Sequence, residues 1–375
     1  MCTRIKKALE AVKADGLFFY FFLYVICILH VLTSYAGRSV FRPDDPHMPM
    51  IEVCWNGSKK VHKLRDYHLE EYPLFHTYDQ SYFDTHLLPD GAIPYRQDPT
   101  QSIDGTVLSE LIEQLVAQLI ADRKQPAKAL KELPHFTILK KRDFVWKTAT
   151  GCLIVKFNDY PFIVKLFLET PKSFVRPFDK GFEPTCFFLM GGGANRHISG
   201  LTRIPNLELV QKQIQEHPTW KDVIEFPRKW FWAPKKRTFF TLTGYNIGQS
   251  NAPLVTEYPG IYAVVVDAID IERTFSLTSS EDRKLALSTS KYLKSFIDAH
   301  INNFVIERET GKIVIIDTEH FPTVVGLRKE LPGQGYVGWY GRLAAKRVRD
   351  TYCQTKYTRR SLQKRGPSPL ALLQY

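Results

Sequence analysis

The chain runs to 375 residues, 44% of them hydrophobic and 24% charged, a composition that suits a globular protein and excludes disordered, collagen-like and small disulfide-stapled classes. Lysine and arginine number 51 against 39 aspartates and glutamates, a formal net charge of +12, so the surface attracts anions: nucleotide phosphates, acidic lipid headgroups or nucleic acid. The six cysteines, Cys2, Cys27, Cys54, Cys152, Cys186 and Cys353, are scattered with no CxxC pair, which speaks against a cysteine metal site or a disulfide framework.

Residues 1–16 form a basic segment carrying Arg4, Lys6, Lys7 and Lys13. They precede 17–36, LFFYFFLYVICILHVLTSYA, which contains no Asp, Glu, Lys or Arg. About 20 such residues cross a bilayer as a helix, so a single-pass membrane segment near the N-terminus is expected. A signal sequence is the alternative: Ser34 and Ala36 stand at the −3 and −1 positions of a cleavage before Gly37, which would release the rest by secretion. The length of the run favours a retained anchor. Arg38, Arg42, Lys59, Lys60, Lys63 and Arg65 follow the segment and balance the basic flank before it, which leaves the side of the globular part open.

From 37 to 104 the chain is rich in Pro, Asp, His and Tyr without a sustained period, and it reads as an irregular stalk with one strand at IEVCW. Its histidines, His47, His62, His68, His76 and His86, lack the i, i+4 spacing around an acid that marks a helical metal site. Residues 106–124 place Leu108, Leu111, Ile112, Leu115, Leu119 and Ile120 on one stripe ahead of Pro126, an amphipathic helix with a stop. Strands at 136–141, 151–157 and 161–168 form an antiparallel meander. A helix is predicted at 205–216, strands at 238–243 and 261–267, and a helix at 281–297. This order predicts an α+β fold in two lobes, with the globular domain at 105–350 and a basic tail at 351–375.

The segment 296–322, FIDAHINNFVIERETGKIVIIDTEHFP, carries the chemistry. A strand FVIE, a turn at ERETGK and a strand KIVIID form a hairpin, which brings Asp298, His300 and Asn303, before its first strand, beside Asp317, after its second. Phosphoryl transfer needs such a set: a group that orients or deprotonates the acceptor hydroxyl, and hard oxygen ligands for Mg²⁺. Lys165, between Val164 and Leu166 on an apolar strand, has to be paired or lie at a rim, and a phosphate contact suits it.

With D-A-H-I-N-N at 298–303 and I-D-T-E-H-F at 316–321, the chain resembles the kinase-like fold. It looks closest to phosphatidylinositol 3- and 4-kinases, whose loop reads D-R-H-x-x-N and whose metal motif reads I-D-F-G-H-F. The resemblance implies a two-lobed kinase-like domain behind the N-terminal transmembrane helix, with ATP and Mg²⁺ as cofactors and a lipid or protein hydroxyl as acceptor. Asp298 and His300 would be the catalytic-loop acid/base and transition-state groups, Asn303 and Asp317 the Mg²⁺ ligands, and Lys165 the strand lysine on the nucleotide phosphates. Glu208 is then the expected ion-pair partner of Lys165, with Glu183 and Glu216 as competitors. Ala299 stands where the family has Arg, and Thr318 and Glu319 where it has Phe and Gly. No G-x-G-x-x-G loop precedes Lys165; Gly151 is the one glycine in the matching turn, and Gly191 to Gly193 come after it. An inactive kinase-like scaffold or a non-enzymatic membrane protein binding anionic partners is therefore the alternative.

Arg342, Lys346, Arg347, Arg349, Lys356, Arg359, Arg360, Lys364 and Arg365 crowd the C-terminal stretch and suit anionic lipid headgroups. Residues 228–237, RKWFWAPKKR, interleave three aromatics with five bases, and they are expected to cover a core edge. The membrane is the expected partner; the sequence contains no zinc finger, RRM motif or other named nucleic-acid module.

Overall fold

The computed structural model describes residues 50–55, 58–63, 77–122, 133–140, 143–176, 193–245, 252–293, 296–297 and 301–320. The expected membrane segment at 17–36 and the basic tail lie outside the described residues. Among the described residues no helix is long and apolar enough to cross a membrane.

In chain order, β1 (Met50–Trp55) and β2 (Ser58–Lys63) make a hairpin. The helix α1 (Gln80–Thr85) starts at Asp79, whose side chain accepts from the Tyr82 N–H, and β3 (Ala92–Pro94) pairs with β4 (Ser102–Asp104). The span expected as an irregular stalk thus contributes four strands and a helix. Next comes α2 (Gly105–Asp122), which buries Leu108, Ile112, Leu115 and Leu119 as its stripe foretold. The meander follows as β5 (Phe136–Lys140), the short β6 (Phe144–Val145), β7 (Thr150–Phe157) and β8 (Phe162–Leu168).

A single turn, α3 (Pro171–Phe174), precedes α4 (Ala194–Leu201) and α5 (Arg203–Glu216), which are separated by Thr202 alone. Five strands follow: β9 (Ile224–Glu225), β10 (Lys229–Trp232), β11 (Phe239–Tyr245), β12 (Leu254–Pro259) and β13 (Ile261–Asp267). The last elements are β14 (Ile271–Thr274), α6 (Ser280–Tyr292), β15 (Phe304–Glu307) and β16 (Ile313–Ile315).

The architecture is α+β. The largest sheet runs β10-β13-β8-β7-β5, with β6 added beside β7; a second runs β12-β11-β1-β2 and a third β14-β15-β16-β9. Register decides what each face of the largest sheet carries. Lys165 lies opposite Val264, and Val264 lies opposite Phe231, so all three share a face, and Lys229, two residues from Phe231, joins them. That face packs its apolar members against Ile198, Leu201 and Ile204 of α4 and α5. The other face offers Val164, Leu166, Val265 and Trp232 to the α2 stripe, and the Trp232 indole N–H donates to Ser109 Oγ at 2.9 Å. The 228–237 segment therefore covers a core edge, as expected. Further along α5, Leu207, Val210 and Ile214 enter a separate core with α6 and the β15–β16 hairpin. The helix α5 is the piece shared between the largest sheet and that hairpin.

Candidate active site

The β15–β16 register sets Phe304 opposite Ile315, and one step outward the Ile316 N–H donates to the Asn303 carbonyl at 2.9 Å. The hairpin therefore holds the backbone of Asn303, at the end of a 3-10 turn over Ile301–Asn303, against Ile316, one residue before Asp317. The chain then runs from Asp317 to His320 along α4 and α5, fastened residue by residue. Arg203 Nε meets Asp317 Oδ1 at 2.9 Å, and Lys165 Nζ meets Asp317 Oδ2 at 2.9 Å. Thr318 donates its hydroxyl hydrogen to the Arg203 carbonyl at 2.6 Å and accepts from Lys229 Nζ at 2.6 Å. Glu319 takes Arg196 Nη1 at 3.2 Å and Arg203 Nη2 at 3.1 Å, and a short hydrogen bond from the Ser199 hydroxyl. The His320 N–H donates to Thr202 Oγ1 at 3.1 Å.

Burial sets the electrostatics. Arg203, Lys229, Lys165 and Glu319 are buried, while the Asp317 side chain keeps 18% exposure, so the cluster meets solvent at Asp317. Burial works against charge on Asp317, but Arg203, Lys165 and Lys229 together hold its carboxyl well below the usual range. Burial likewise opposes the charge on Arg203, and Asp317 and Glu319 overcome it and keep the guanidinium protonated. That guanidinium also lies over the Phe167 ring, 5.2 Å from its centroid. Lys165 is pulled down by burial despite its Asp317 partner. Lys229 is pushed well below its ordinary value by burial and then by the neighbouring Lys165 cation.

Of the residues singled out in the sequence, Lys165 and Asp317 meet and the Asn303 backbone pairs one residue before Asp317, while Asp298 and His300 lie outside the described residues. Glu208 does not pair with Lys165. Its carboxylate accepts from Tyr82 Oη at 2.7 Å and faces His86 Nε2 at 3.0 Å. The reason is helical phase: Glu208 stands five residues beyond Arg203, about 140° around α5, and so faces away from the cluster. Of the competing acids, Glu216 is exposed and Glu183 lies outside the described residues. Gly193 precedes α4 with φ of 90° and donates its N–H to Glu169 Oε1 at 2.6 Å, so that amide serves the fold.

Sequence reading missed Arg196, Ser199, Arg203 and Lys229. Arg196, Ser199 and Arg203 are spaced i, i+3, i+7, one polar stripe along the nearly continuous α4–α5, and that spacing was the available signal. Lys229 was visible only as one base in an aromatic-rich run.

The donor set suits Mg²⁺ chemically, since the Asp317 carboxylate and an Asn303 amide are hard oxygen ligands. Among the described residues no group of three His, Cys, Asp or Glu could hold a metal ion, so the remaining oxygens would come from a bound phosphate and water, the usual arrangement for Mg²⁺ at nucleotides. What the cluster offers by itself is concentrated positive charge beside one solvent-touching carboxylate. Compared with known proteins, the chain matches no family model, no curated protein and no solved structure.

Proposed function

We propose that the chain is a membrane-associated phosphotransferase of the two-lobed, kinase-like type, moving the γ-phosphoryl of Mg²⁺-ATP to a lipid or protein hydroxyl. One observation carries the reading: Lys165 and Asp317, far apart in sequence, meet at 2.9 Å, with the Asn303 backbone held by the hairpin against Ile316, one residue before Asp317. Kinase-type phosphoryl transfer uses a strand lysine on the phosphates and an Asp and Asn on the metal. In this reading Asn303 and Asp317 would hold Mg²⁺, which would supply positive charge to the phosphates. Lys165 exchanges its Asp317 contact for a phosphate oxygen as nucleotide enters. Asp298 takes the acceptor hydroxyl proton, His300 supports the charge on the transferring group, and ADP leaves. The apolar run at 17–36 would keep the site near a bilayer and its lipid or protein acceptors.

The second reading, an inactive anion-binding scaffold, is favoured by one feature: both Asp317 oxygens already face cations, Lys165 and Arg203. The test is ATP binding by the full-length chain with and without Mg²⁺, together with phosphate transfer to lipid vesicles and to a generic protein acceptor. The phosphotransferase reading expects Mg²⁺ to tighten ATP binding about tenfold or more, and expects Asp317→Ala to remove that gain. Affinity indifferent to Mg²⁺ in both proteins, with no transfer, would leave the scaffold.

A further inference from the structure

Among the described residues, the cluster around Asp317 is not balanced in charge. Lys165, Arg196, Arg203 and Lys229 face two carboxylates, Asp317 and Glu319. Arg196 and Arg203 hold Glu319, and Arg203 and Lys165 hold Asp317. Lys229 has no carboxylate within ion-pair distance among the described residues. Its ammonium, on a residue only 6% exposed, donates to the Thr318 hydroxyl, and that hydroxyl has already given its hydrogen to the Arg203 carbonyl. An ammonium has three hydrogens to place, and burying one without a counter-charge is unfavourable. A second donor of the cluster is also short of a partner: among the described residues, Arg203 Nη1 is buried with no hydrogen-bond acceptor.

Geometry makes the two lysines a pair. They leave the same face of the sheet, from β8 and β10 on either side of β13, and they reach adjacent residues, Asp317 and Thr318. Two cationic tips aimed at neighbouring positions, beside an unsatisfied guanidinium nitrogen, suit a chain of phosphates better than a single carboxylate or a metal ion.

We infer that Lys229 is a second phosphate-binding lysine of this cluster, holding a polyphosphate chain together with Lys165, so that the polyphosphate binds before any divalent cation does. The inference rests on the phosphotransferase reading only for the ligand being a nucleoside triphosphate. The depressed proton affinity of the buried Lys229 accords with it, since an arriving anion supplies the counter-charge that Lys229 lacks among the described residues.

The experiment is calorimetric titration of the full-length chain with inorganic tripolyphosphate in excess EDTA. Wild type binds; Lys229→Met and Lys165→Met each weaken binding about tenfold or more, the effect of losing one charge-assisted hydrogen bond. Lys229→Arg retains most of the affinity, and Lys284→Met, at an exposed position on α6, changes nothing. Thermal melts separate binding from packing. Empty Lys229→Met melts at or above the wild-type temperature, because an apolar side chain removes the buried charge, yet it loses the tripolyphosphate-induced rise. Equal affinity in wild type and Lys229→Met overturns the inference, as does folded wild type that ignores tripolyphosphate; Mg²⁺-ATP binding that persists in either case keeps the phosphotransferase reading alive. Tripolyphosphate binding that needs Lys229, with no gain from Mg²⁺ on ATP, upholds the inference and sinks that reading.

Discussion

His197 lies on α4 among the rings of Phe167, Phe174, Phe240 and Tyr262, and its Nε2 donates to the Pro259 carbonyl at 2.7 Å. Burial lowers its proton affinity, taking the pKa from 6.5 to about 4. As pH falls below about 6.5 the unfolded chain takes up a proton that the folded chain refuses, so stability drains away until the folded ring titrates near 4. Between pH 7 and pH 5 this residue alone removes roughly 2 kcal/mol. His320, lowered to about 4 by burial, deepens the loss over the same window. Urea unfolding at the two pH values measures it, and His197→Gln, which keeps a donor for Pro259, should recover His197's share. An unchanged pH dependence would mean that the ring is not sealed from water. Nothing in A-N-R-H-I-S marks this histidine in the sequence. Lys165 was legible because a lysine flanked by Val164 and Leu166 needs a partner wherever it points, whereas histidine is tolerated in too many settings to stand out.

Gly200 lets α4 lie flat on the largest sheet: a Cβ there would come within 2.6 Å of Phe167 Cζ and collide with the Tyr262 hydroxyl. That hydroxyl makes a short hydrogen bond to the His197 carbonyl, so it cannot swing aside freely. Gly200→Ala should gain up to about 1 kcal/mol in helix propensity and still destabilise by about 2 kcal/mol through overpacking. Because α4 carries Arg196 and Ser199, the nucleotide affinity proposed above should fall with it. Gly91→Ala, where a Cβ meets nothing within 4 Å, is the neutral control, and denaturant midpoints for the two variants decide the matter. Elements with a long internal period were legible: α2, β7, β8 and β13 begin and end within two residues of their expected limits. The helix predicted at 281–297 stops at Tyr292, because Ile297 leaves to bridge His320. The helix predicted from Pro205 starts at Arg203, since proline in a first turn gives up no intrahelical hydrogen bond. Only the IEVCW strand was expected in the 37–104 span; its pairing with β11 escaped because a partner nearly two hundred residues away leaves no local pattern, whereas β2, paired with β1, had a local signal in the Asn56-Gly57 dipeptide that was overlooked.

Across the whole molecule the sequence revealed what each segment carries but not what surrounds it. The α+β class followed from the order of the local patterns, whereas the pairing of Lys165 with Asp317, where Glu208 was expected, and the cation excess depend on β8, β10, α4 and α5 arriving at one place. Long-range ion pairs hold such pieces in position, and Arg96 is the clearest case. Its Nε and Nη2 each reach a Glu307 oxygen at 3.2 Å, Nη2 also makes a short contact with Glu225, and Nη1 donates to the Phe226 carbonyl at 3.4 Å. Just before it, the Pro94 carbonyl accepts from Arg228 Nη2 at 2.7 Å, and Arg228 in turn grips Asp267 at the end of β13. The chain at 94–96 thus ties the largest sheet to β9 and β15, and through β15 to the hairpin that presents Asp317. Glu307 is 2% exposed; without Arg96 it keeps the Thr310 hydroxyl at 2.8 Å but loses its counter-charge. Arg96→Ala should therefore cost about 3 kcal/mol in urea unfolding, the cost of stranding a buried carboxylate. Adding Glu307→Gln should restore part of it by removing the stranded charge. A single variant within about 0.5 kcal/mol of wild type would reduce this junction to a surface contact. The expected loss, relieved in the double variant, would show that the hairpin is held to the sheet by charge as well as by the apolar face of α5.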